Sequence, residues 1–276
     1  MNRRTACCGL VTGTLGAMLY VPRSQLRNQR VGLQLYTVRD RMQRDLAGTL
    51  AAVGAIGYRE VEFAGYFGKS PRQVREAARR ARLDPVSTHI PIEMLREDLH
   101  GAVEMAAEIG HRYVVLPWLN DKERRSLEGY RALADEMNGF GEAVTSAGLR
   151  FAYHNHSFEF EPIDGVVPYD LLLERTDPRW VAMELDLYWV TVGGRQPLEY
   201  FEAWPGRFPL WHVKDMGPDG GMVDVGAGHI DFGAIFEHAE QAGMRHYFVE
   251  HDQPKDSLAT ARASYEYLSH LQAGSR

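Results

Sequence analysis

Gly148-Leu-Arg-Phe-Ala-Tyr-His-Asn-His156 is the stretch whose reading decides the fold. A glycine closes a helical pattern, as expected of the residue that takes up the left-handed conformation at a helix end, and a short apolar run follows. In an extended strand alternate side chains share a face, so Ala152, His154 and His156 point the same way. The same punctuation recurs at Gly57, Gly110 and Gly243, each followed two residues later by Arg59, Arg112 or Arg245 and then by another apolar run.

Working outward from these marks, eight strand candidates alternate with amphipathic helical stretches: Val31 to Tyr36, Tyr58 to Phe63, Pro85 to Ile90, Arg112 to Pro117, Leu149 to His154, Trp180 to Asp186, Phe208 to Lys214 and Arg245 to Glu250. Repeated βα units with short connections predict a parallel sheet, and eight of them in about 250 residues predict a single-domain (β/α)8 TIM barrel. No long Ser- or Pro-rich linker interrupts residues 30–276, which therefore read as one domain.

The segment 1–29 differs from the rest. Arg3 and Arg4 precede an uncharged stretch from Thr5 to Pro22, the order of an export signal and in part of a twin-arginine one. The expectation is a periplasmic protein with no stable membrane insertion after processing. The alternative is a cytoplasmic protein with a frayed terminal helix. Cys7 and Cys8 both fall in this segment, so a processed chain has no thiol for catalysis, disulfides or zinc. A net charge of -6 without a basic run offers no electrostatic footprint for nucleic acid.

Geometry then tests the polar residues. Each of the last four strands ends in two ionisable residues on one face: His154 with His156, Glu184 with Asp186, His212 with Lys214, and Glu250 with Asp252. Carboxylates converging in a barrel interior are penalised by desolvation and by mutual repulsion, and a bound cation removes both objections. Histidines mixed with carboxylates suit one divalent ion of Mn, Co, Zn or Fe, with Mg a further candidate. On the earlier strands Gln34, Tyr36, Glu62 and His89 are candidates to line a substrate pocket opposite the metal. Lys214 with Asp215 also reads as a simple salt bridge, and Gly226-Ala-Gly228 as a turn leading to Asp231 at a helix N-cap rather than a phosphate loop.

These segments resemble the xylose isomerase-like TIM barrels, which include sugar phosphate isomerases, ketose 3-epimerases, inosose dehydratases and the AP endonuclease family 2. The resemblance runs from Val31 over nearly the whole chain and rests on Gly32-Leu-Gln-Leu-Tyr36, Tyr153-His-Asn-His156, Phe158-Glu-Phe160, Glu184-Leu-Asp186, His212-Val-Lys-Asp215 and Glu250-His251. It implies a metal held by carboxylate, Asp, His and Glu on strands five to eight, with Asp186, His212 and Glu250 matching the last three. On strand five the usual Glu-Asn-His reads His154-Asn-His156. Either His154 replaces the glutamate, or Glu184 or Glu159 supplies the carboxylate.

The chemistry implied is proton abstraction beside the carbonyl of a small carbohydrate, with Glu250 as ligand and near the moving proton. Glu184, His156 and Lys214 are the acid/base or oxyanion candidates. Isomerase, epimerase and lyase share that first step, and export favours oxidised or glycosidic sugars over phosphosugars. A keto-glycoside lyase or hydratase is thus the alternative within the enzyme class. A non-catalytic sugar-binding protein with a structural metal is the alternative outside it. Family barrels often pair, which leaves a homodimer open.

Overall fold

Each of the eight apolar runs forms a strand in the computed structural model, which describes residues 29–274. Residues 1–28 of the segment read as an export signal, with Cys7 and Cys8, lie outside the described residues. The strands are Gly32–Gln34, Glu60–Phe63, Asp84–His89, Tyr113–Leu116, Arg150–His154, Val181–Asp186, Leu210–Val213 and His246–Val249, here strands one to eight. All neighbours pair parallel, and strand eight closes on strand one to make the (β/α)8 barrel.

Strands two, five and six end where their apolar runs end, and the other five stop one or two residues earlier, strand one for a local reason. After Gln34 the chain turns into a 3-10 helix, Leu35–Val38, because the Gln34 side chain accepts the Tyr36 N–H at 2.9 Å. The four punctuating glycines all have positive φ, between 78° and 134°, where a side chain would be strained. Ser70 caps the helix Pro71–Arg80 through a capping box with Gln73, and Ser126 caps Leu127–Ser146. Each such cap contributes about 1 kcal/mol. Asp98 breaks the helix Ile92–Ile109 with extended backbone, and its carboxylate accepts the Gly101 N–H and restarts the helix.

Two apolar regions result. The larger lies between the barrel and its helices, and a smaller one fills the barrel itself with Val86, Tyr113, Val115, Ala152, Ala182, Leu210 and Phe248. Ala152 and Ala182 face inward as alternation demands, so His154 and Glu184, two residues further along those strands, face inward too. The barrel is apolar at its waist and ionisable above it.

A two-stranded ribbon, Asp215–Met216 with Met222–Val223, follows strand seven. Asp215 does not pair with Lys214. Its buried carboxylate accepts the backbone N–H groups of Met216, Gly226, Gly228 and Ile230, and Asp231 then caps Phe232–Glu237. The Gly226-Ala-Gly228 turn is thus a structural knot around one carboxylate. Among the described residues no helix is long and apolar enough to cross a membrane.

Candidate active site

The C-terminal ends of the strands open into a cavity of about 960 Å³, the end of such a barrel where reacting groups collect. Its floor carries His154, Glu250, Lys214 and His89, and its wall is aromatic. His156 stacks parallel on Phe158 at 5.7 Å, with Trp118 edge-on at 4.4 Å and Trp189 at 5.4 Å. Trp118 keeps 45% of its surface exposed and Tyr36 40%, so both stand at the mouth.

Four side chains predicted as ligands come together. His154 Nε2 lies 3.2 Å from Asp186 Oδ2, and His212 Nδ1 lies 2.8 Å from Glu250 Oε2 and 3.8 Å from Asp186 Oδ2. These four ligand atoms fall within 4.8 Å of one another, and all four residues are buried. Strand register explains the meeting, because Asp186 is paired with His212 across strands six and seven. His154 is oriented from behind by a contact of 3.1 Å between its Nδ1 and the Pro117 carbonyl. Asp186 serves twice: Oδ1 accepts the N–H groups of Tyr188 and Trp189 as N-cap of the helix Leu187–Val192, while Oδ2 faces the site.

Lys214 lies in the same place. Its ammonium sits 2.7 Å from Glu250 Oε2, 2.9 Å from Asp252 Oδ1 and 3.1 Å from Asp186 Oδ2. Burial opposes that charge, but the three carboxylates hold the pKa well above the ordinary lysine value. Burial likewise raises the Glu250 carboxyl, yet Lys214 and His212 outweigh it and keep the group well below the usual range. His154 is pushed down to about 4 by burial and by neighbouring His212, so it is a neutral imidazole with a lone pair to offer. Burial also holds His156 neutral.

A second set lies deeper. Glu184 does not join Asp186; it reaches across the barrel to His89 at 3.0 Å and to the far nitrogen of His212 at 3.3 Å. Glu62 completes the ring, 2.7 Å from His212 Nε2 and 2.9 Å from His89 Nε2. Burial, followed by the Glu62 charge, lifts Glu184 to about 7. Burial opposes the His89 imidazolium, but Glu62 and Glu184 raise its pKa to about 9. Of the four residues expected to line the pocket, Tyr36 and His89 reach the cavity, whereas Gln34 and Glu62 are fully buried beneath it. Glu159 is turned away from the ligands, its carboxylate taken by the Tyr153 hydroxyl and the His156 N–H. Trp118, Trp189 and Arg124 line the cavity without having been singled out by their sequence positions.

Whether the upper set fits a metal is tested by its unpartnered atoms. His212 Nδ1 and Glu250 Oε2 are buried without a well-directed hydrogen bond, although they face each other. Two nitrogens and two carboxylate oxygens converging in this way make a suitable donor set for a borderline divalent ion.

A closed barrel with ionisable strand ends beneath a cavity defines the class: a (β/α)8 barrel built as enzymes of that fold are built. The family model for the xylose isomerase-like TIM barrel matches residues 50–271, and the chain belongs to that family. The chain is similar to a sugar phosphate isomerase/epimerase of Parabacteroides distasonis, with 28% identity, a TM-score of 0.75, and coverage of 88% of this chain and 94% of the other. It is also similar to two inosose dehydratases. The one from Geobacillus kaustophilus is 21% identical over 266 residues, covering 80% of this chain and 86% of the relative. The one from Geobacillus thermodenitrificans is 25% identical over 161 residues, which span about half of each chain (52% and 53%).

Proposed function

We propose that this chain is a divalent-metal-dependent sugar isomerase or epimerase that removes a proton beside a carbonyl group. The observation that carries the reading is Glu250, a carboxylate on the cavity floor held within 2.8 Å of His212 Nδ1 and 2.7 Å of the Lys214 ammonium. A divalent ion held by His154, Asp186, His212 and Glu250 would supply Lewis-acid polarisation of the substrate oxygens.

The protein's own groups account for the rest. Glu250, beside the Lys214 ammonium at 2.7 Å, is the base that accepts the proton. Lys214 cannot act as a base while three carboxylates hold it charged, so it donates to the oxygen on which negative charge develops. Glu250, once protonated, is the group that returns the proton, and neutral His156, on the wall between Trp118 and Trp189, is placed to accept one from the side. The aromatic wall excludes water from the carbon that has lost its proton.

The likeness to inosose dehydratases favours a second reading, in which the same first step is followed by expulsion of a β-substituent. A keto-glycoside lyase or hydratase belongs to this reading, and export to the periplasm, if residues 1–29 direct it, supplies such non-phosphorylated sugars. Incubation with keto sugars and Mn in heavy water tests both readings. Deuterium beside the carbonyl in the recovered sugar or product, lost in Glu250→Gln, is expected. Saturable binding with no exchange identifies a sugar-binding protein instead.

A further inference from the structure

We propose that Glu62, His89, Glu184 and His212 form a second divalent-metal site, beneath the cavity floor and distinct in all ligands but His212 from the one above. The four ligand atoms alternate oxygen and nitrogen around a ring. The edges are 2.7 Å from His212 Nε2 to Glu62 Oε1, 2.9 Å on to His89 Nε2, 3.0 Å to Glu184 Oε2 and 3.3 Å back to His212. Ligands at about 2.0–2.1 Å from a tetrahedral ion are spaced about 3.3 Å apart. Along its edges the ring therefore needs to open by no more than about 0.6 Å to take one, and all four atoms already lie within 4.8 Å of one another.

The surroundings are those of a ligand set rather than of a chance cluster. Ser87 Oγ donates to Glu62 Oε2 at 2.6 Å and Gln34 Nε2 donates to Glu62 Oε1 at 2.6 Å, which fixes the carboxylate plane as outer partners of a metal site do. Glu184 is fully buried, and its second oxygen has no partner at all. Two carboxylates meeting in the barrel interior are compensated by an ion of charge two. The mixed imidazole and carboxylate set selects a zinc or cobalt type of ion over Mg or Ca. His89 lines the cavity and gives the ion its way in.

Capture of the ion displaces the ring protons. The His212 Nε2 and His89 Nε2 lone pairs must be free, so any proton on them leaves to solvent. With Nδ1 engaged above at the same time, the His212 ring bridges the two sites as imidazolate. The deeper ion is closed off by four protein ligands, and its function is to position His212 and neutralise Glu62 and Glu184.

Metal counting on the chelator-stripped full-length protein, reloaded with zinc, tests the proposal, with Co(II) absorption as a second readout and circular dichroism to verify folding. Wild type is expected to bind two ions, Glu184→Gln and Glu62→Gln one each, and Glu250→Gln one. The losses should appear as affinities weakened by about tenfold or more. If folded Glu184→Gln and Glu62→Gln retain the wild-type number, the deeper site does not exist. If wild type binds one ion, its loss in Glu184→Gln alone upholds the deeper site and rejects the upper one. Loss in Glu250→Gln alone does the reverse, and loss in both overturns two separable sites.

Discussion

Replacing Lys214 by Met removes the one ammonium shared by Asp186, Glu250 and Asp252 while nearly preserving the volume of a side chain that is 1% exposed. At separations of 2.7 to 3.1 Å each ion pair has a gross attraction of about 6 kcal/mol at an effective dielectric of about 20. Most of that is offset by the cost of burying the ammonium, and a net loss of about 3–5 kcal/mol is expected when such a partner is removed. The three carboxylates left behind have raised pKa values in the folded variant, so the native state binds more protons than the unfolded one and stability falls as pH rises. Urea unfolding in the presence of a chelator, at about pH 5.5 and about pH 8, measures this, and the deficit relative to wild type should be larger at the higher pH. A deficit below about 1 kcal/mol at the higher pH, or one that grows on acidification, would refute the account of Lys214 as the cation that holds these carboxylates together.

Other outcomes follow from the same packing. His111, buried with its ring against the Pro85 carbonyl at 2.8 Å and the Tyr66 hydroxyl at 3.0 Å, has its pKa lowered by burial to about 4. Its contribution of about 3 kcal/mol is therefore present above about pH 6.5 and lost as pH falls towards 4, and the wild-type minus His111→Gln stability difference should shrink over that window. Asp215→Ala, which strands four backbone donors, should cost about 3–4 kcal/mol in denaturant melts, and Asp215→Asn roughly half as much. Asp186→Asn should keep the helix cap and be about 1 kcal/mol more stable than Asp186→Ala in the chelated protein, while both lose metal from the upper site; equal stability would remove the cap from the explanation.

The barrel was legible because its signals are local. A glycine needing positive φ, an apolar run of strand length and an arginine at its start can all be read without knowing what lies across the core, and seven strands fall within the runs so marked while strand three starts one residue early, at Asp84. The gathering of His154, Asp186, His212 and Glu250 follows from alternation and parallel pairing, which are also local. What escaped the sequence depends on the far side of the barrel. Glu184 shares a face with Asp186, but it is paired with His154 and Leu210, one level lower, and from there its reach is towards strands two and three. Gln34 and Glu62 were placed on the pocket wall for want of that depth coordinate. Trp118 follows directly on Pro117 at the end of strand four, and a large aromatic in that position was a signal of the cavity mouth that the strand pattern alone did not use.

Asp186 spends one oxygen on the start of a helix and the other on the centre of the site, so the helix after strand six is bolted to the chemistry. For anyone reshaping this cavity, that helix is the wrong place to begin: a change that tilts Trp189 would drag a floor carboxylate with it. Trp118 answers to no floor carboxylate and faces solvent over nearly half its surface. Libraries of altered substrate preference belong at the strand-four rim, where the wall can be rebuilt without loosening what lies beneath.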